Sequence, residues 1–249
     1  MLKKISDFKY SIEKSGDMLV PGIIYGKDKT IADAGDETIA QVEAAACLPG
    51  IESCSIAMPD MHLGYGFPIG GVAAFDIKAG VIAPGAVGYD INCGVRLIST
   101  GVLFEEARGR LEALADALYN AVPTGIGAEG DIDLRHKDFL GVIKRGAAWA
   151  VESGFGSEDD ISRTEDLGVM RFDGDDSVIS TDAFERGKRQ LGTLGSGNHF
   201  LEVQELTEIF DTAAADAYGL FKGQLCVMFH SGSRGFGYRV CAHLASSLG

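Results

Sequence analysis

The chain has 249 residues, 46% of them hydrophobic and 23% charged, which excludes a disordered chain and allows one large domain or two small ones around a substantial core. Its net charge of −14 argues against a surface that coats nucleic acid, half of that charge lying within 127–176. No window approaches 18 uninterrupted apolar residues, so a membrane-spanning helix and a membrane partner are not expected.

Residues 1–50 read as a lead-in. Met1 to Asp7 turn polar at once, with no apolar signal core, so a cytoplasmic location is expected. Pro21-Gly22-Ile23-Ile24-Tyr25 is a turn and a short apolar run. Ile39, Val42 and Ala46 predict a helix from Thr38 to Leu48, stopped by Pro49-Gly50. Ser53 to Met58 reads as a buried strand, and Ile69–Phe75 and Val95–Thr100 as short strands joined by glycine-rich loops. Leu111, Leu114, Leu118 and Val122 mark one face of a helix over 105–122 that Pro123 ends. A second helix is expected over 138–152, with Trp149 in the core. The acidic 156–176 stretch reads as a solvated surface loop with short helical pieces. A helix near 182–190 has Thr181 and Asp182 as cap candidates. A strand at Phe200–Leu206, a helix near 207–217, a buried strand at Gln224–Phe229 and a last helix from 236 complete the chain.

Glycine is the anomaly, 34 residues or about twice the usual share. The glycines follow no collagen period and crowd a few loops, where they imply tight turns and close backbone approaches. Of the five histidines, His62, His199 and His230 lie in such loops at strand ends, where sites usually form. The other two read differently: His136 as a surface residue and His243 as a structural one within a helix. Asp90-Ile91-Asn92-Cys93 puts a carboxylate and a thiol three apart in one turn bracketed by Gly85, Gly88 and Gly94. The same residues also fit a turn Asp beside a buried thiol. Gly195-Ser196-Gly197-Asn198 before His199 can form an anion nest, or serve only as a strand-entry turn. Ser231, Ser233 and Arg234 after His230 fit a phosphate clamp, or a strand-ending turn with a solvated Arg. One carboxylate, one thiol and two imidazoles suit a divalent transition metal better than an all-oxygen site. Four such ligands shared by two metals leave open positions, and a thiolate can bridge. Asp60 and His62 are candidates for a supporting pair that orients a ligand histidine. The five cysteines, an odd number without a CxxC, read as reduced thiols.

The segments MPDMHLGYGFPIGGVAAF at 58–75, GAVGYDINCGVRL at 85–97, LGTLGSGNHFLEV at 191–203 and HSGSRG at 230–235 resemble the RtcB-type RNA-splicing ligase family, in the family's order. The resemblance spans essentially the whole chain but only the front half or so of a family member. It implies an α+β fold with mixed β-sheets and outer helices, here as the N-terminal portion of a single catalytic domain whose C-terminal part is missing. Within that portion, 1–50 would be the lead-in and 51–249 would carry the metal and guanylate segments.

The resemblance further implies a ligase that uses GTP and Mn²⁺ to join RNA 3′-phosphate or 2′,3′-cyclic phosphate ends to 5′-hydroxyl ends, in tRNA splicing or RNA repair. A guanylylated histidine carries GMP to the RNA end. By the same resemblance Asp90, Cys93, His199 and His230 are ligands of two Mn²⁺ ions, with Cys93 bridging. Asn198, His199, Phe200, Leu201 and Glu202 form part of the guanylate site, with Asn198 facing the phosphate. Cys93, His199 and Arg234 are then the catalytic set, Arg234 contacting the RNA terminal phosphate. A helper protein that restarts guanylylation is a further partner the resemblance leaves open. The family's third metal histidine and its guanylylated histidine stand further along, so this chain alone is expected to be inactive. The competing readings are a truncated, non-ligating protein that binds metal and RNA ends, and a metal-dependent phosphoesterase.

Overall fold

The computed structural model describes residues 2–132, 134–170 and 179–247. They form two compact units that part between Gly88 and Tyr89. The fold is α+β, as the sequence led us to expect.

The first unit comprises β1 (Leu2–Ser6), β2 (Lys9–Ile12), β3 (Gly22–Tyr25), α1 (Asp28–Ala45), β4 (Ile51–His62), β5 (Ile69–Phe75) and α2 (Pro84–Val87). Its sheet runs β1-β2-β3-β4-β5. Only β3 and β4 pair in parallel, and α1 supplies the long crossover that a parallel pair needs. Alternation in β2 and β3 turns Tyr10, Ile12 and Ile24 inward, where Val42 and Ala46 close over them together with Ala57 and Met61 of β4.

Residues 1–50, expected as a lead-in, therefore supply three of the five strands and the crossover helix. That helix starts at Asp28 rather than Thr38, because Ile31 and Ala34 pack on the same core. Gly35, at φ 77°, bends it and shifts the apolar spacing that would have revealed its first half.

The second unit holds β6 (Gly94–Leu103), α3 (Phe104–Ala107), α4 (Leu111–Ala121), α5 (His136–Arg145), α6 (Ala147–Glu152), α7 (Glu158–Ser162), α8 (Thr181–Gly187), β7 (Phe200–Glu205), α9 (Thr212–Tyr218), β8 (Gln224–Ser231) and α10 (Arg234–Ser247). Its sheet is antiparallel throughout, in the order β6-β8-β7. A separate core gathers Leu134, Phe139 and Trp149. Phe139 meets Phe184 and Phe236 edge-on, with centroids 5.2 and 5.0 Å away.

Two expected helices are broken. A tight turn at Arg108–Arg110 separates α3 from α4, and Gly146, at φ 48°, separates α5 from α6. A Cβ at Gly146 would strike the Gly168 carbonyl, so the chain turns there instead of continuing the helix. Ser180, not Thr181 or Asp182, caps α8 by accepting the Ala183 N–H. Asp211 likewise caps α9, five residues later than the expected start at 207. In the acidic stretch, α7 and a short turn at Glu165–Gly168 appear, while 171–176 lies outside the described residues. Among the described residues no helix is long and apolar enough to cross a membrane.

Candidate metal centre

Pairing in the second sheet dictates where the site forms. The central strand β8 runs against both neighbours, so its end lies beside their beginnings. His230, near that end, pairs with Val95 on one side and Phe200 on the other. Cys93 stands one residue before β6 and His199 one residue before β7. Three positions far apart in sequence therefore converge on one end of one sheet.

The ligand atoms of Cys93, His199 and His230 all lie within 4.8 Å of one another. The Cys93 sulfur sits 3.0 Å from His230 Nε2 and 3.5 Å from His199 Nε2. His199 Nδ1 stands 2.9 Å from the Leu194 carbonyl. A carbonyl only accepts, so Nδ1 carries the proton and donates it. On a neutral ring Nε2 is then a bare lone pair. It faces Asp90 Oδ2 at 2.7 Å, and the His199 side chain is only 4% exposed. A lone pair buried against a carboxylate needs positive charge, either a second ring proton or a metal cation. A donor set of two imidazoles, a thiol and a carboxylate fits a divalent transition metal.

Asp90 is the hub. Oδ2 meets His199, while Oδ1 accepts the Ser233 hydroxyl at 3.3 Å and the Arg234 backbone N–H at 3.1 Å. Burial would raise its pKa, but the bonds to Cys93, His199 and Ser233 outweigh burial, and the carboxyl titrates below its ordinary value. The turn that presents it is closed by the Cys93 N–H on the Asp90 carbonyl, with Asn92 at φ 57°. Two glycines fit the site closely. A Cβ at Gly232 would overlap the Asp90 carboxylate, and one at Gly195, φ 124°, would overlap His199 Nδ1 and press on Arg234.

The other expected site residues divide. Ser231, Ser233 and Arg234 do not stand as an open clamp. Both hydroxyls are used inside the protein, on the Leu194 carbonyl and on Asp90. The Arg234 guanidinium donates to the Thr193 hydroxyl and the Gly125 carbonyl, each at 3.2 Å. Burial pulls its pKa below the ordinary value, with Arg186 adding to the drop and Asp90 opposing it. Phe200 packs edge-on against His230, at 5.5 Å between centroids. Asn198 and Glu202 are exposed, and Glu202 accepts a bond from Gln204. Leu201 turns the other way, into a mostly apolar cavity of about 590 Å³ walled by α4. Asp60 and His62 belong to the first unit, where His62 Nδ1 meets the Asp60 carbonyl. His136 is exposed, and His243 lies within α10. Leu194, Thr193 and Gly125 did not stand out in sequence, because they act through backbone carbonyls or a buried hydroxyl. The only signal was the glycine-rich loop around them.

Comparison with known proteins points to one family. The family model described as "tRNA-splicing ligase RtcB" matches residues 41–248. The chain is 49% identical over 243 residues to the tRNA-splicing ligase RtcB of Thermococcus kodakarensis, covering 97% of this chain and 50% of that protein. It is 50% identical over 228 residues to the Aeropyrum pernix tRNA-splicing ligase RtcB, covering 90% and 47%. It is also 50% identical over 204 residues to the RNA-splicing ligase RtcB of Mycobacterium tuberculosis, covering 81% and 47%. The chain thus spans about half the length of the curated relatives it matches.

Proposed function

This chain belongs to the RtcB family, and from that premise we propose that its second unit carries the metal centre of an RNA ligase. The ligase joins RNA 3′-phosphate or 2′,3′-cyclic phosphate ends to 5′-hydroxyl ends with GTP and Mn²⁺, in tRNA splicing or RNA repair. The observation that carries the reading is the meeting of Asp90, Cys93, His199 and His230 at one sheet end.

In this reading those four residues hold two Mn²⁺ ions. Cys93 would be the ligand nearest both histidines, its sulfur lying within 3.5 Å of both imidazoles. When bound, Mn²⁺ supplies positive charge that offsets the charge of phosphate oxygens. The protein's own groups do the rest. Leu194 keeps the ring proton of His199 on Nδ1, so Nε2 is the ligand. Asp90 stays ionised at neutral pH and ties the Cys93 turn to the start of α10. The exposed Asn198 amide would meet the guanylate phosphate, with Phe200 and Glu202 on one face of β7 and Leu201 on the other. Arg234, held by Thr193 and Gly125, would offer its remaining N–H donors to the RNA terminal phosphate. No residue of this chain is assigned as the guanylylated histidine, and a helper protein would act on that step. A cytoplasmic setting suits the reading, because the centre needs a reduced thiolate.

The test is binding of short RNAs ending in 3′-phosphate or 3′-hydroxyl, with Mn²⁺ present. The 3′-phosphate RNA should bind about tenfold or more tightly, and Arg234→Ala should remove that preference while leaving Mn²⁺ binding intact. Equal binding of both ends would contradict the assignment. Release of phosphate without GTP would point to a phosphoesterase instead.

A further inference from the structure

One carbonyl at the centre has two partners. The Leu194 oxygen accepts His199 Nδ1–H at 2.9 Å and the Ser231 hydroxyl at 2.6 Å. Its two lone pairs are both used, and Leu194 is 9% exposed, so water has little access to replace either bond. The Leu194 N–H is bound as well, to the Pro123 carbonyl at 2.9 Å. Ser231 follows His230 on β8, whereas Leu194 lies five residues before His199. The hydroxyl therefore ties the strand that bears one imidazole to the loop that aims the other. Gly195, with no room for a side chain beside His199 Nδ1, lets that loop close tightly.

We infer that Ser231 is a positioning residue of the centre, its hydroxyl fixing the Leu194 carbonyl that orients His199. Without the hydroxyl, the Leu194 carbonyl keeps only its bond to His199, and the imidazole loses its fixed direction toward Asp90 and Cys93. Partners of this outer kind typically change metal affinity by about ten- to a hundredfold. The inference rests on the metal reading above.

The experiment compares Ser231→Thr with Ser231→Val in the full chain. The two side chains have the same shape and differ only in the hydroxyl. Co²⁺ is titrated into each, and the thiolate-to-cobalt absorption band gives affinity while the visible bands report geometry. Circular dichroism and urea unfolding establish that each variant is folded. Ser231→Thr should bind Co²⁺ within about threefold of the parent, and Ser231→Val about ten- to a hundredfold more weakly with altered visible bands. Equal affinity and identical spectra for parent, Thr and Val overturn the inference and leave the metal centre standing. Equal losses in Thr and Val overturn it too, since shape rather than the hydroxyl would then matter. Should Val prevent folding, Ser231→Ala takes its place with the same expected loss. Absence of the band in the parent overturns both the metal centre and this inference.

Discussion

At one end of the β6-β8-β7 sheet, Gln224 is 2% exposed and donates its amide to the carbonyls of Thr100, at 2.6 Å, and Gly219, at 3.2 Å. Its oxygen accepts the Phe221 N–H, and the Thr100 hydroxyl donates to the Leu225 carbonyl. Every donor there meets an acceptor. At the opposite end His230 is similarly buried, at 4% exposure, but around it stand a thiol, a second imidazole and a carboxylate. The Cys93 sulfur, two imidazoles and the Asp90 carboxylate crowd together there, and the His199–Asp90 contact takes either a second ring proton or a cation. Burial alone does not separate a structural polar group from a functional one. The kind of neighbour does: amide meets carbonyl at one end, and groups able to hold a metal face one another at the other.

The largest effect expected on this contrast comes from Gly195→Ala. The added carbon meets His199 Nδ1 in a backbone conformation that favours glycine, so urea unfolding should show a loss on the order of 3 kcal/mol. A loss below about 1 kcal/mol would mean that the loop is not tightly held. Next comes Gln224→Leu, which strands two carbonyls and an N–H. It should cost about 2 kcal/mol in unfolding while leaving Mn²⁺ affinity unchanged. Affinity that falls in step with stability would erase the distinction between the two ends.

The smallest effect is a pH dependence in the metal-free protein. The folded-state pKa of Asp90 is depressed, so its ionised form stabilises the fold above the ordinary value of 3.8. That contribution is lost as pH falls through the depressed value. The stability gap between the parent and Asp90→Asn should therefore be flat near neutrality and close in acid. A gap that stays constant down to about pH 2 would contradict the depressed pKa.

Much of the site was legible because its chemistry sits in short, glycine-bounded loops. Asp90, Cys93, His199 and His230 stood out as candidates from residue type and neighbours, beside readings as plain turn and strand-end residues. Their meeting was not, since it depends on the pairing of His230 with both Val95 and Phe200, which no local pattern encodes. The fold was read unevenly for similar reasons. Ile69–Phe75 is a strand with the expected limits because apolar residues and turns bound it clearly. The β1–β2 hairpin escaped notice because Lys3, Lys4 and Lys9 mask its alternation. The α5–α6 break escaped notice because Gly146 interrupts an otherwise continuous apolar face. Ser231 and Leu194 lie 37 residues apart and join through a carbonyl, which residue identity does not report.

Titration calorimetry of Mn²⁺ into the chain and into Cys93→Ala tests the central claim most directly. The sulfur lies between both imidazoles, so its removal should weaken binding by about a hundredfold or more while leaving the fold intact by circular dichroism. Mn²⁺ affinity that is the same in both proteins would contradict the account, because the sheet end would then hold no thiolate-centred metal site.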